Sequence, residues 1–122
     1  MLLAYLTTDE VNWDAITRLA EAHGVVVFAM YFQDPPPDGR FDAVLYDWDF
    51  IPPEQRQDII KNRFVASSAL PIAVHSYGIC EEEEKLLQEK GVATFRRLGT
   101  KLLRFLKSNG RGKEPIPFLL GG

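Results

Sequence analysis

Val25-Val26-Val27-Phe28-Ala29-Met30-Tyr31 is a nearly continuous run of β-branched and aromatic residues without a charge. A strand with one wet face alternates apolar and polar side chains, so an unbroken run predicts a strand covered on both faces and placed inside a sheet. Before it, residues 2–7 form a short apolar run. Thr8 and Asp9 can then cap a helix over residues 9–23, closed by Gly24. The inward stripe of that helix would be Val11 or Asn12, then Ile16, Leu19, Ala20 and His23. After the run, Asp34-Pro35-Pro36-Pro37-Asp38-Gly39 can continue neither strand nor helix, because three prolines remove donors and fix φ.

Further along, Asp42-Ala43-Val44-Leu45-Tyr46-Asp47 predicts a third strand. Pro52-Pro53-Glu54 opens a helix to about residue 64. Leu70-Pro71-Ile72-Ala73-Val74-His75 predicts a fourth strand. Glu81 to Glu84, followed by Lys85 and Lys90, put negative charge at the start and positive charge at the end of a helix that Gly91 terminates. Val92-Ala93-Thr94-Phe95 is a fifth strand, and residues 98–108 a last helix with Leu98, Leu102, Phe105 and Leu106 inward. Strand and helix alternate, and right-handed crossovers leave few topologies. The expectation is an α/β three-layer sandwich with a five-stranded parallel sheet in the flavodoxin-like order 2-1-3-4-5. The second crossover, about residues 32–41, is too short for a full helix plus its loops, so its helix should be short or absent. The domain should cover residues 1–108, with residues 109–122 a tail carrying an apolar patch at 116–120.

The 122 residues, 46% hydrophobic and 25% charged, suit one globular domain and argue against whole-chain disorder. The apolar runs are too short to span a bilayer. The first residues lack a basic segment and a small-residue cleavage site, so a cytoplasmic location is expected. Cys80 is the single cysteine, which excludes an intramolecular disulfide or a cysteine-based zinc site within one chain. Charge is uneven: residues 1–61 carry 4 Lys/Arg and 11 Asp/Glu, residues 62–122 carry 10 and 6. Seven basic residues and no acidic one lie between Arg96 and Lys113, either a footprint for an anionic partner or a solvated helix face.

In an open parallel sheet, ligands bind beyond the carboxyl ends of the strands. The side chains expected there are Thr7, Thr8, Asp9 and Glu10 after the first strand, Asp47 and Asp49 after the third, His75, Ser76 and Cys80 after the fourth, and Arg96 and Arg97 after the fifth. Each has a structural reading as well. Thr7 and Thr8 suit backbone caps, His75 a structural histidine, and Cys80 a buried or half-buried thiol. Asp47 and Asp49 can cap the turn into the helix at Pro52 or belong to a site.

The segment Asp42-Ala43-Val44-Leu45-Tyr46-Asp47-Trp48-Asp49-Phe50-Ile51-Pro52 resembles the third-strand region of bacterial response-regulator receiver domains, where the strand ends at the aspartate that accepts phosphate and a proline follows. Leu70-Pro71-Ile72-Ala73-Val74-His75-Ser76-Tyr77-Gly78 is similar to the family's fourth strand, and Gly91-Val92-Ala93 to the approach to its fifth. The resemblance implies that Asp47 takes the phosphoacceptor position and Ser76 that of the switch hydroxyl. In an ungapped alignment the family's metal-holding acidic pair falls on Thr7 and Thr8, and only a two-residue shift would recruit Asp9 and Glu10. The lysine ending the family's fifth strand is absent, with Arg96 and Arg97 as nearest substitutes. The implied protein is a degenerate receiver, a signalling module and not an enzyme. It would need no cofactor beyond weakly held Mg²⁺, its metal ligands are left unassigned, and Asp47 would carry no stable phosphate. Since the family's last helix lies on the surface used for dimers and output partners, the resemblance implies a protein partner or a homodimer contact at Arg97, Lys101, Arg104 and Lys107. The acidic chain as a whole argues against nucleic acid. The alternative is a small-molecule or anion binder using a strand-end cleft of Thr7, Thr8, Asp9, Asp47, Asp49, Ser76 and Arg96.

Overall fold

The computed structural model describes residues 1–31, 40–64 and 70–109. Its strands are β1 (Leu2–Leu6), β2 (Val26–Met30), β3 (Ala43–Asp47), β4 (Ile72–His75) and β5 (Ala93–Phe95). Its helices are α1 (Glu10–Glu21), α2 (Pro53–Asn62), α3 (Glu81–Glu89) and α4 (Thr100–Asn109), with a short 3-10 turn at Trp48–Phe50. All strand pairs are parallel, in the order β2-β1-β3-β4-β5, as the alternation of elements predicts. The irregular reading of the second crossover falls largely on residues 32–39, and the apolar tail patch on residues 116–120. Both lie outside the described residues.

Alternate residues of the central strands feed two cores. Leu3, Tyr5, Ala43, Leu45 and Ala73 pack against Ile16 and Ala20 of α1 and Leu102, Leu103 and Leu106 of α4. Ala4, Leu6, Val44, Tyr46 and Val74 pack against Ile59 and Ile60 of α2 and Leu87 of α3. The period of two in a strand sends neighbouring residues to opposite faces, so β3, apolar until its final Asp47, is buried throughout. In the last helix Leu102 and Leu106 are buried as expected, together with Leu103. Leu98 precedes the helix and is half-buried.

The helices α1 and α3 end alike. In α1 the Val25 N–H donates to the Ala20 carbonyl and the Gly24 N–H to Glu21. In α3 the Val92 N–H donates to Leu87 and the Gly91 N–H to Gln88. Both glycines hold the left-handed conformation this closure requires, with φ of 70° and 81°. The buried Val25 and Val92 then start the descent into β2 and β5.

The reading of the run at residues 25–31 by itself as sheet-interior fails, whereas the expected order 2-1-3-4-5 places it at the edge. The run at residues 25–31 is an edge strand and not an interior one, with Val26 64% and Phe28 55% exposed. An apolar run reports side-chain preference, whereas position in the sheet is set by the order of crossovers, and here the chain returns across β1 to build β3 on the other side.

The helix-closing geometry gives a direct test. An added Cβ at Gly24 meets nothing within 4 Å, so Gly24→Ala suffers only from its positive φ. Chemical denaturation should show a loss of about 1 kcal/mol with the fold retained.

Candidate functional site

Parallel register places three polar residues side by side at the carboxyl end of the sheet. Asp47 of β3 lies opposite His75 of β4, and Thr7 follows β1 directly beside them. Tyr5 is two residues earlier on the same face. Asp47, His75 and Tyr5 have no exposed surface, and Thr7 is buried. Asp47 Oδ2 accepts from the Thr7 hydroxyl at 2.7 Å and from Asn12 Nδ2 at 3.0 Å. Its Oδ1 is 3.4 Å from His75 Nε2, which is also 2.7 Å from the Tyr5 hydroxyl.

Local sequence explains the placement. Asp9 accepts from the Asn12 N–H at 3.0 Å and thereby fixes the start of α1. Thr7 Oγ1 accepts from the Asp9 N–H at 3.0 Å while its own proton goes to Asp47. Of the two alternatives for the inward stripe, Asn12 turns toward the sheet, leaving Val11 74% exposed. Thr7 therefore serves as both cap and site residue.

Burial, and then the Asp47 charge, raise the Tyr5 pKa well above the ordinary phenol range, so the hydroxyl keeps its proton. Burial lowers the His75 pKa, against the opposing pull of Asp47 and Asp49, and the ring is neutral. Asp47 Oδ1 and His75 Nδ1 have no hydrogen-bond partner among the described residues. The layer is thus one charge, two donors aimed at it and a neutral aromatic pair.

The remaining candidates go elsewhere. Asp49 is exposed and accepts from the Ser76 hydroxyl and, at 2.9 Å, from the Tyr77 N–H. Ser76 is thereby tied to Asp49. Arg96 donates to the Ile79 carbonyl at 3.2 Å and lies 3.7 Å from Glu84. Thr7, Thr8 and Asp9 line an open cleft of about 200 Å³ between α1 and the ends of β1 and β2, with Glu10, Trp13 and Met30. Arg96, Arg97 and Lys101 line a second, of about 490 Å³, at the start of α4. Of the residues the sequence reading assigned to one strand-end cleft, Thr7, Thr8 and Asp9 thus line one cleft and Arg96 another, while Asp47 is buried. Arg97, Lys101, Arg104 and Lys107 are all exposed, and Lys107 donates to the His23 carbonyl at 2.8 Å. Cys80 is exposed, contrary to expectation, because it starts α3 at the surface.

The residues that the resemblance would set at metal-holding positions do not fit a divalent cation. Thr7 stands where a carboxylate would be needed, and the Asp9 carboxylate caps α1. Among the described residues no group of three His, Cys, Asp or Glu side chains converges on one point. The sequence reading missed Tyr5 and Asn12 as parts of this layer. A lone phenol inside an apolar strand, two residues before a threonine, was the available signal for the first.

A neutral buried histidine makes stability depend on pH. Unfolding returns His75 to its ordinary pKa of about 6.5, so its contribution is full above that value and declines as pH falls toward the lowered folded value. Between about pH 6.5 and 5, where carboxylates are still largely ionised, urea titrations should show falling stability with a slope of at most about 1.4 kcal/mol per pH unit from this group. His75→Gln should flatten that segment, and an unchanged slope would contradict the assignment.

Comparison of the chain with protein-family models finds no matching family, and comparison with curated proteins finds no match.

Proposed function

We propose that this chain is a receiver-like interaction domain that binds a protein partner through α4 and does not run phosphoryl transfer at Asp47. The observation that carries the proposal is the state of Asp47. A phosphoacceptor carboxylate needs an oxygen open to an incoming phosphoryl group and a cation to neutralise the transferred charge. Asp47 has no exposed surface, and its Oδ2 already accepts from Thr7 and Asn12. The threonine at an acidic-pair position donates a proton where the family would present a charge. The hydroxyl at the switch position is held by Asp49, and Arg96 is engaged by Glu84 and Ile79.

What is left for recognition is outside. The exposed face of α4 carries Arg97 just before it and Lys101, Arg104 and Lys107 along it, opposite the buried Leu102, Leu103 and Leu106. Cations spaced three and four residues apart form one stripe, which suits an acidic protein surface. The cleft of about 490 Å³ beside it, lined by Arg96, Arg97 and Lys101, favours a second reading, a small-anion binder. Titration with inorganic phosphate separates the two, since only the second predicts saturable binding lost in Arg97→Ala. Among the described residues no helix is long and apolar enough to cross a membrane.

Incubation with a small phosphodonor and Mg²⁺ should leave the intact mass unchanged. A phosphoryl gain that disappears in Asp47→Asn would overturn the proposal. In pull-downs with the full chain as bait, partners recovered at low salt should be lost when Arg97, Lys101 and Arg104 are changed to Glu, and weakened by added salt for the unaltered protein. Unchanged recovery would remove the α4 face from the account.

A further inference from the structure

We propose that the outer edge of β2 is a self-association surface, at which two copies pair antiparallel about a twofold axis through Phe28 and join their sheets. In the β1–β2 ladder the Val26 N–H donates to the Met1 carbonyl at 2.9 Å, and the Met30 carbonyl accepts from Thr7 at 3.0 Å. Val26, Phe28 and Met30 thus turn their backbone groups inward, so Val27 and Ala29 present an N–H and a C=O each to the open side. Among the described residues no strand pairs with that side. Edge strands of stable monomers are commonly blunted by charge, proline or a bulge, but residues 25–31 contain no charged residue and no proline.

The side chains favour a second copy as the occupant. Val26, Phe28 and Met30 share the face of the sheet that α2 and α3 cover farther along, and Val26 and Phe28 are 64% and 55% exposed. The Phe28 ring rests against buried Phe41, with centroids 5.8 Å apart, which fixes its position at the edge. A twofold axis at Phe28 sets Val27 opposite Ala29 of the other copy, and two such pairs exchange four backbone hydrogen bonds. Phe28 then faces Phe28 of the other copy at a non-hydrogen-bonded position, where side chains approach most closely, and Val26 faces Met30. Every cross-strand pair is apolar, and no like charges meet, so the segment is complementary to itself. Val26 and Phe28 offer on the order of 200 Å² of side-chain surface per copy, well below the roughly 800 Å² per partner of a standard interface. The dimer is accordingly weak and concentration-dependent. This surface is separate from the α4 stripe, and the inference does not rest on the reading of Asp47.

Analytical ultracentrifugation of the full chain over a concentration series provides the test. The expected result is a reversible monomer–dimer equilibrium that Lys101→Glu/Arg104→Glu leaves unchanged. Ala29→Pro removes one outward N–H without touching the β1 ladder, and Phe28→Glu places two carboxylates face to face. Each should lower the association constant by at least about tenfold, with circular dichroism confirming the fold. As a second measurement, Phe28→Cys in a Cys80→Ser background should form a covalent dimer on mild oxidation, since the paired Cβ atoms would be at disulfide range. Val11→Cys, exposed on α1, should not. A chain that stays monomeric at all concentrations, a dimer indifferent to both edge variants, or equal cross-linking at positions 28 and 11 would overturn the proposal.

Discussion

A carboxylate shut away from water has to find its hydrogen bonds inside the protein, and Asp47 finds them on two other elements. Its Oδ2 is held by Thr7 at the end of β1 and by Asn12 in the first turn of α1. The Thr7 hydroxyl also receives the N–H of Asp9, the residue that caps α1. One hydroxyl therefore couples the position of the helix to the buried charge. Removing one neutral donor from such a charge costs about 1–3 kcal/mol in the typical case, because the charge remains and its desolvation is less compensated. The rotation of α1 follows from this. Asn12 turns in, and Val11 is left in solvent.

Residues 47 to 49 distribute the rest of the architecture. Asp47 reaches to β1, α1 and β4 on one face of the sheet. Trp48 is buried on the other side, where its ring stacks on Phe64 with centroids 5.8 Å apart and its Nε1 donates to Glu83 of α3 at 2.7 Å. Arg56 of α2 lies over the same indole and 3.5 Å from the same carboxylate. Asp49 holds Ser76 and Tyr77. Each of the three side chains is thus committed to structure. The α4 stripe and the β2 edge are surfaces that this polar layer does not touch.

The fold was legible because its signals are local and repeated. Gly24 and Gly91 mark helix ends, Asp9 and Pro53 mark helix starts, and the apolar runs between them have strand length. That Asp47 and Ser76 come at the carboxyl ends of the third and fourth strands was legible too, but their environment was not. Whether a strand-end aspartate is open or covered depends on which residue of α1 faces it, and the sequence left Val11 and Asn12 as alternatives. For β2 two signals disagreed: the expected order 2-1-3-4-5 put it at the edge, where it lies, while its composition is that of a covered strand. Arg96 was placed at the end of β5 as expected, yet its direction is decided by Glu84 and the Ile79 carbonyl, partners 12 and 17 residues away in the chain.

The stability of Thr7→Val tests the central claim most directly. Valine matches threonine in shape and suits a buried position at a strand end, so on packing alone the substitution should be neutral or slightly stabilising. If the Thr7 hydroxyl supports the buried Asp47 charge, urea unfolding should instead show a loss of about 1–3 kcal/mol with the native fold retained. Stability equal to or above that of the unaltered protein would contradict the account.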